Sequence, residues 1–334
     1  MNQSCIFVTG GCGYIGSHVT RQLTESGYKV IVIDNLSTGF PDALVHGETL
    51  IKGDLADTEL LRRLFAQYEF SAVLHFAGSI VVPESVAQPE LYYQNNTVNT
   101  FNLLKVCLEF SVKKFVFSST ASIYGDNKKG TKSEESDTPL PTNPYARSKL
   151  ADEWILEDFS YAYGLKYVIL RYFNVAGADP ELRMGQRSPM ATHLIKVACQ
   201  KALGMRKDLL ITGSDYNTPD GTGLRDYIHI EDLASAHLCA LDYLQKGGAS
   251  VLVNCGYGRG FSVREVIKVL EEVCGFSIGA KEAPRRPGDV ASLIANVEKI
   301  GKILPQWKPK YADLKKIITS AYQWEEKLAR PTPR

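Results

Sequence analysis

The chain has 334 residues, 44% hydrophobic and 22% charged, ordinary globular proportions that exclude a disordered or fibrous protein. Its 38 Lys and Arg against 37 Asp and Glu leave a net charge of +1, which excludes the broad basic face of an electrostatic nucleic-acid binder. No apolar run approaches the roughly 20 residues needed to cross a bilayer, so no membrane partner is expected.

Residues 5–9 read as a strand and 15–26 as a helix stopped by Gly27. A second strand, 29–34, is apolar almost throughout, as a strand buried on both faces must be. Further strands are expected at 50–53, 72–76, 114–118 and 167–171, with helical patterns at 58–68, 92–110 and 144–163 between them. Strands alternating with helices predict an α/β fold with a Rossmann-type, doubly wound parallel sheet, because parallel neighbours need crossover connections. The second half is less regular. Helices are expected at 190–203, 231–244, 262–274 and 311–328, and short strands at 209–211 and 251–253. Loops rich in Gly, Pro and Asp separate them, including 213–223 and 284–289. The expected organisation is a cofactor-binding domain over 1–175 and a smaller mixed α/β substrate-binding domain over 176–334. The boundary is approximate, the chain can cross between the lobes, and a ligand is expected between them.

The seven cysteines are scattered and include no C-x-x-C pair, and the six histidines do not cluster. Neither a disulfide nor a metal site is expected. Residues 1–7 lack the basic segment and apolar stretch of a signal peptide, and the expectation is a soluble cytoplasmic protein.

Directly after the first strand comes Thr9-Gly10-Gly11-Cys12-Gly13-Tyr14-Ile15-Gly16. Glycines here permit a tight turn, let backbone approach a pyrophosphate, and allow close helix–strand packing. The following helix points its N-terminal N–H groups at the phosphates. Taken alone, such a turn often serves only to reverse the chain. Here a strand precedes it, a helix follows, and Asp34 closes the second strand, where a carboxylate can accept from an adenosine ribose. A 2′-phosphate would be repelled by Asp34, so NAD is the expected cofactor rather than NADP.

Tyr145-Ala146-Arg147-Ser148-Lys149 sets a phenol and an ammonium four residues apart on one side of a predicted helix. A nearby ammonium favours phenolate, and such a tyrosine can act as a base on a sugar or alcohol hydroxyl. Y-x-x-x-K alone is a common accident of amphipathic helices. Ser118-Ser119-Thr120 adds weight, since it ends a predicted parallel strand, where doubly wound sheets bind ligands.

With these motifs the chain resembles the extended short-chain dehydrogenase/reductase family, most closely its UDP-glucose 4-epimerase (UDP-galactose 4-epimerase) branch. The similarity spans nearly the whole chain. It includes Tyr14-Ile15-Gly16-Ser17-His18, Gly53-Asp54-Leu55, His75-Phe76-Ala77-Gly78, Leu170-Arg171-Tyr172-Phe173-Asn174, Arg225-Asp226-Tyr227-Ile228-His229 and Pro284-Arg285-Arg286-Pro287-Gly288-Asp289. The resemblance implies Tyr145 as base, Lys149 lowering its pKa and holding the nicotinamide ribose, and Thr120 bonding the sugar's 4-oxygen. It implies NAD contacts at Gly10, Gly13, Tyr14, Ile15, Gly16, Asp34, Asn35, Asp54, Leu55, Phe76, Ala77, Asn95, Ser118, Tyr145, Lys149 and Tyr172. It implies UDP-sugar contacts at Thr120, Tyr145, Asn174, Leu194, Arg225, Arg286 and Asp289, and a homodimer. Paired guanidinium donors at Arg225 and Arg286 suit a pyrophosphate.

The implied reaction is NAD-dependent interconversion of UDP-glucose and UDP-galactose: oxidation at C4, rotation of the 4-keto sugar, and re-reduction. Related 4,6-dehydratases follow the strand-end Thr with Asp-Glu, and related decarboxylases carry a Glu there, whereas Thr120 precedes Ala121-Ser122. UDP-N-acetylglucosamine or UDP-pentose 4-epimerization remains the enzymatic alternative, because Leu293, at the wall position, is intermediate in size. An NAD-responsive regulator is the non-enzymatic one; such proteins commonly lack the Tyr or Lys retained here. Two positions depart from some relatives: Ile80 replaces a lysine, and His193 an asparagine of the sugar pocket.

Overall fold

The structure, a computed structural model, describes residues 5–125, 130–188, 192–286 and 289–330. In the first half the strands are β1 (Cys5–Thr9), β2 (Lys29–Asp34), β3 (Thr49–Lys52), β4 (Phe70–His75), β5 (Lys114–Thr120), β6 (Thr131–Lys132) and β7 (Lys166–Tyr172). In the second they are β8 (Asn174–Ala176), β9 (Leu210–Thr212), β10 (Leu224–His229), β11 (Val251–Cys255), β12 (Gly260–Ser262), β13 (Lys281–Ala283) and β14 (Ser292–Ala295). The helices are α1 (Tyr14–Glu25), α2 (Thr58–Gln67), α3 (Val82–Ala87), α4 (Pro89–Tyr92), α5 (Asn99–Glu109), α6 (Pro144–Tyr163), α7 (Leu194–Ala202), α8 (Ile230–Gln245), α9 (Val263–Cys274), α10 (Glu298–Ile303) and α11 (Leu314–Ala329).

Seven strands form a parallel sheet in the order β11-β7-β5-β4-β1-β2-β3, the doubly wound architecture expected from the alternating pattern. The order reverses direction between β1 and β4, which opens a crevice at the carboxyl ends of those strands. Both faces are covered. Ile6 and Val8 of β1 pack with Val19 and Leu23 of α1 and Leu233 of α8, while Phe7 points the other way to Leu61, Leu103 and Leu156.

The chain crosses back after residue 176. Strand β11 pairs with β7 at the sheet edge, and α8 packs on α1. The other lobe holds a mixed sheet, β12-β10-β14-β6 with β8 on β10, and a separate β13-β9 pair. Among the described residues, no helix is long and apolar enough to cross a membrane.

Several elements differ from the sequence pattern. The helix expected over 92–110 is three pieces: α4, a π-helical segment at Tyr93–Val98, and α5. The widened turn belongs to Asn96, whose amide donates to the Ser79 carbonyl at 3.1 Å and to Ser148 Oγ at 2.9 Å, and accepts from the Ser79 N–H at 2.7 Å. The helix expected from 190 begins at Leu194, with residues 189–191 outside the described part. The motif 225–229 is itself a strand, β10; its Asp226 is buried because backbone N–H groups of Tyr257 and Gly258 satisfy the carboxylate.

The crossing-back segment is fastened by charge. Arg21 of α1 donates to Glu231 of α8, both buried, and to Glu25 at 2.7 Å. Arg21→Met leaves Glu231 as a buried anion without its cation, and urea denaturation is expected to show a loss of about 3–5 kcal/mol. A loss below about 1 kcal/mol would show that the pair carries no weight there.

Candidate active site

The glycine-rich turn lies at the β1/β4 crevice. Gly10 adopts φ +69°, and a Cβ built on it would stand 2.6 Å from the Ala77 backbone nitrogen. A Cβ on Gly16 would fall 2.2 Å from the Gly10 carbonyl oxygen. These contacts press the first turn of α1 against β1 and its neighbour. Helix α1 has no side-chain cap at Gly13 and no acidic residue in its first turn, so the N–H groups at Tyr14, Ile15 and Gly16 are left for an anion. The Tyr14 hydroxyl donates to the Gly177 carbonyl at 2.7 Å, tying this turn to the other lobe.

Asp34 is buried at the end of β2 and accepts from the Cys12 N–H at 2.9 Å and the Leu36 N–H at 2.8 Å. A carboxylate offers about four lone-pair sites, so two remain for ribose hydroxyls. Asn35 donates to Asp54 at 2.8 Å, and Asn99 links Asp54 to Asn95 with contacts of 3.4 Å to each. Leu55 is buried beside them. The turn, Asp34, Asn35, Asp54 and Asn95 thus line one side of the sheet's carboxyl edge, and the residue types suit a dinucleotide there.

Phe76 follows β4 and its ring packs 4.9 Å from that of His237. His237 Nδ1 lies 2.9 Å from the Leu233 carbonyl, so it carries the proton and Nε2 accepts from Ser118 Oγ at 2.9 Å. Burial holds this imidazole neutral, its pKa pushed down to about 4. Tyr172, at the end of β7, faces the same serine.

Helix α6 starts where Asn143 Oδ1 accepts from the Ala146 N–H at 2.9 Å and Pro144 takes the first helical position. That start aims Tyr145 at Thr120, the last residue of β5. Thr120 Oγ1 accepts from the Ser122 N–H at 3.1 Å, and its side chain faces the Tyr145 phenol. Tyr145 is buried, and burial raises its phenol above the ordinary value; the Thr120 hydrogen bond works in the opposite direction.

In the protein alone the phenol is raised, because burial outweighs the opposing effect of Thr120. The Lys149 ammonium lies 4.2 Å from the centre of the Phe117 ring. Its own pKa is lowered by burial and supported by the charges of Asp152 and Glu153. These two acids were not singled out in the sequence. Their only signal there was charge on a face that also carries Tyr145 and Lys149.

The substrate-side residues fall into two groups. Asn174 begins β8 and lines a cleft with Gly177, Gln186, His193, Lys196 and Tyr227, and Leu194 opens α7 next to it. His193, left off the candidate residues, is therefore beside Asn174, with Nδ1 3.2 Å from the Gln186 amide nitrogen. Arg225 and Asp289 meet at 3.5 Å. Arg286 is exposed, and its carbonyl accepts from the Asp289 N–H at 3.2 Å; Pro287 and Gly288 of the same motif lie outside the described residues.

Residues 6–256 match the model of the NAD dependent epimerase/dehydratase family. The chain is 53% identical to the UDP-glucose 4-epimerase of Azospirillum brasilense over 97% of this chain and 92% of that one. It superposes on a crystal structure of a UDP-glucose 4-epimerase with a TM-score of 0.95 at 45% identity, covering 99% of this chain and 100% of that one. The enzyme of that name from Bifidobacterium longum, solved with NAD+ and UDP, gives 0.91 at 39% identity, covering 97% and 98%.

Gly10→Ala is expected to cost roughly 1–2 kcal/mol from the left-handed backbone alone, and more from the contact with Ala77. Thermal unfolding together with the nucleotide content of the purified protein checks this; an unchanged melting temperature and content would contradict it.

Proposed function

The chain belongs to the NAD dependent epimerase/dehydratase family, and we propose that within it the protein interconverts UDP-glucose and UDP-galactose through reversible oxidation at the sugar C4. The observation that carries this reading is the Tyr145 phenol held against Thr120 at the carboxyl end of β5, with Lys149 one helical turn on. NAD, when bound, would supply the hydride acceptor and return the hydride to either face of the 4-keto sugar. The remaining work belongs to the side chains.

In this reading Gly10, Gly13, Tyr14, Ile15 and Gly16 hold the pyrophosphate of NAD, and Asp34 with Asn35 holds its adenosine ribose. Asp54, Leu55, Phe76, Ala77, Asn95, Ser118 and Tyr172 complete the cofactor's walls. Tyr145 takes the 4-hydroxyl proton and gives it back, while Thr120 bonds the 4-oxygen. The buried phenol gains acidity from the Thr120 hydrogen bond and from cationic charge brought beside it, to which Lys149 contributes. Asn174, Leu194, Arg225, Arg286 and Asp289 grip the UDP portion, so the hexose is free to turn. The first lobe, residues 1–175, is assigned to NAD and 176–334 to the UDP-sugar, with α8 and β11 as parts of the second segment serving the first sheet.

Interconversion of UDP-galactose and UDP-glucose by the purified protein without added NAD is expected, and its absence from nucleotide-loaded protein would overturn the reading. Parallel assays with UDP-GalNAc and UDP-arabinose determine how much room Leu293 leaves; its side chain packs on the cluster of Tyr124 and Phe173. Tyr145→Phe should reduce turnover at least ~100-fold while NAD stays bound, and near-normal turnover would remove Tyr145 from the role of base.

A homodimer is part of the proposal. Trp154 and Tyr161, two helical turns apart on α6, are 59% and 96% exposed, and Val98 and Phe101 lie exposed on the neighbouring segment. Such an apolar face fits burial against a second copy. Trp154→Glu combined with Tyr161→Glu is expected to yield monomers in sedimentation velocity; an unchanged dimer would move the interface elsewhere. The seven free cysteines support a reducing, cytoplasmic setting.

A further inference from the structure

We propose that Asp152 is the counter-ion of Lys149, a positioning residue that keeps this lysine an ammonium in its buried seat. The inference rests on the reading that Lys149 belongs to the reacting group.

Positions 145, 149 and 152 follow helical spacing i, i+4, i+7, so Tyr145, Lys149 and Asp152 share one stripe of α6, and all three are buried. Asp152 is 0% exposed, and neither carboxylate oxygen makes a hydrogen bond of ordinary geometry. The Thr97 hydroxyl facing it is occupied by the Ser148 carbonyl at 3.3 Å. A carboxylate in that position needs a charge nearby or a proton.

The neighbouring charges divide into two pairs. Glu153 accepts from Arg171 of β7 at 2.6 and 3.0 Å and from Ser119 of β5, so its charge is committed to that guanidinium. His75 of β4 faces Lys149 but is held neutral by burial, and its ring nitrogens lie against the Thr9 and Thr100 hydroxyls. Phe117 offers Lys149 only its ring face. Two cations and two acids are thus buried together, and once Arg171 has Glu153, Asp152 is the anion left for Lys149. Coulomb attraction in a poorly hydrated interior acts over several ångströms, so direct contact is not required. Burial raises Asp152 to about 7, and Lys149 is the leading influence in the opposite direction. Each group thus favours the charged form of the other.

The test uses protein labelled with lysine carrying 13C at Cε, with the Lys149 resonance assigned by its loss in Lys149→Arg. The midpoint of its pH titration is expected to fall by at least about one pH unit in Asp152→Asn and in the apolar Asp152→Leu. Asp152→Glu should restore it. The alkaline limb of kcat against pH should move with that midpoint, which a merely structural residue would not shift. An unmoved midpoint in both variants, a shift that Asp152→Glu fails to restore, or loss of the fold in both variants overturns the proposal. A parent protein without epimerase activity would instead sink the functional reading, leaving the lysine titration to decide the counter-ion separately.

Discussion

The buried bond between Glu153 and Arg171 fixes the working helix to the sheet. Arg171 reaches across from β7 with two donors, Ser119 of β5 adds a third, and the same guanidinium donates to the Tyr124 hydroxyl at 3.1 Å. Tyr124 passes the connection to Asn254 of β11 at 2.7 Å, and Asn254 to the Lys132 carbonyl of β6 at 2.9 Å. One chain of polar contacts therefore links α6, three strands of the large sheet or its edge, and the smaller lobe. Its geometry sets the height of α6 above β5, and with it the distance from Tyr145 to Thr120. An apolar contact could supply comparable stability, but a bidentate guanidinium–carboxylate bond also fixes register.

Helix α6 consequently departs from the usual amphipathic arrangement. Its inner face mixes Tyr145, Ser148, Lys149, Asp152 and Glu153 with Leu150, Leu156 and Phe159, while Trp154 and Tyr161 point outward among Arg147, Glu157 and Asp158. The polar part of the inside is where the reacting groups and their charge partners are. The outward aromatic pair fits a second protein surface. Charge is similarly local in the turn after β1, where bare N–H groups and closely packed glycines form an anion cradle in a chain of net charge +1.

The legible parts of the sequence were those whose cause is local. Strands β1 and β2 show as apolar runs because both of their faces are covered, and Gly10 and Gly16 mark positions where a Cβ has no room. The Tyr145–Lys149 spacing announces a shared face because helical geometry alone sets it. Other features depended on distant partners. The π segment follows from Asn96 reaching Ser79 and Ser148. Strand β10 was hidden because Arg225 and Asp226 read as polar motif residues, although Asp226 is satisfied by backbone some thirty residues away. The raised phenol of Tyr145 was invisible for the same reason, since burial is a property of the assembled crevice.

Strand β11 gives the fold a temporal asymmetry. The sheet that begins at residue 5 gains its last edge strand only with residues 251–255, and the helix sealing one of its faces spans 230–245. During synthesis the first six strands of that sheet must wait, with the edge of β7 unpaired and the α1 side uncovered, while the intervening segment is made. The nascent chain therefore holds an open strand edge over a long interval, the state in which sheets pair wrongly with other chains. The sheet is thus completed before β12, β13 and β14 and the helices α9 to α11 of the second segment have been made, so those elements must dock onto a finished sheet.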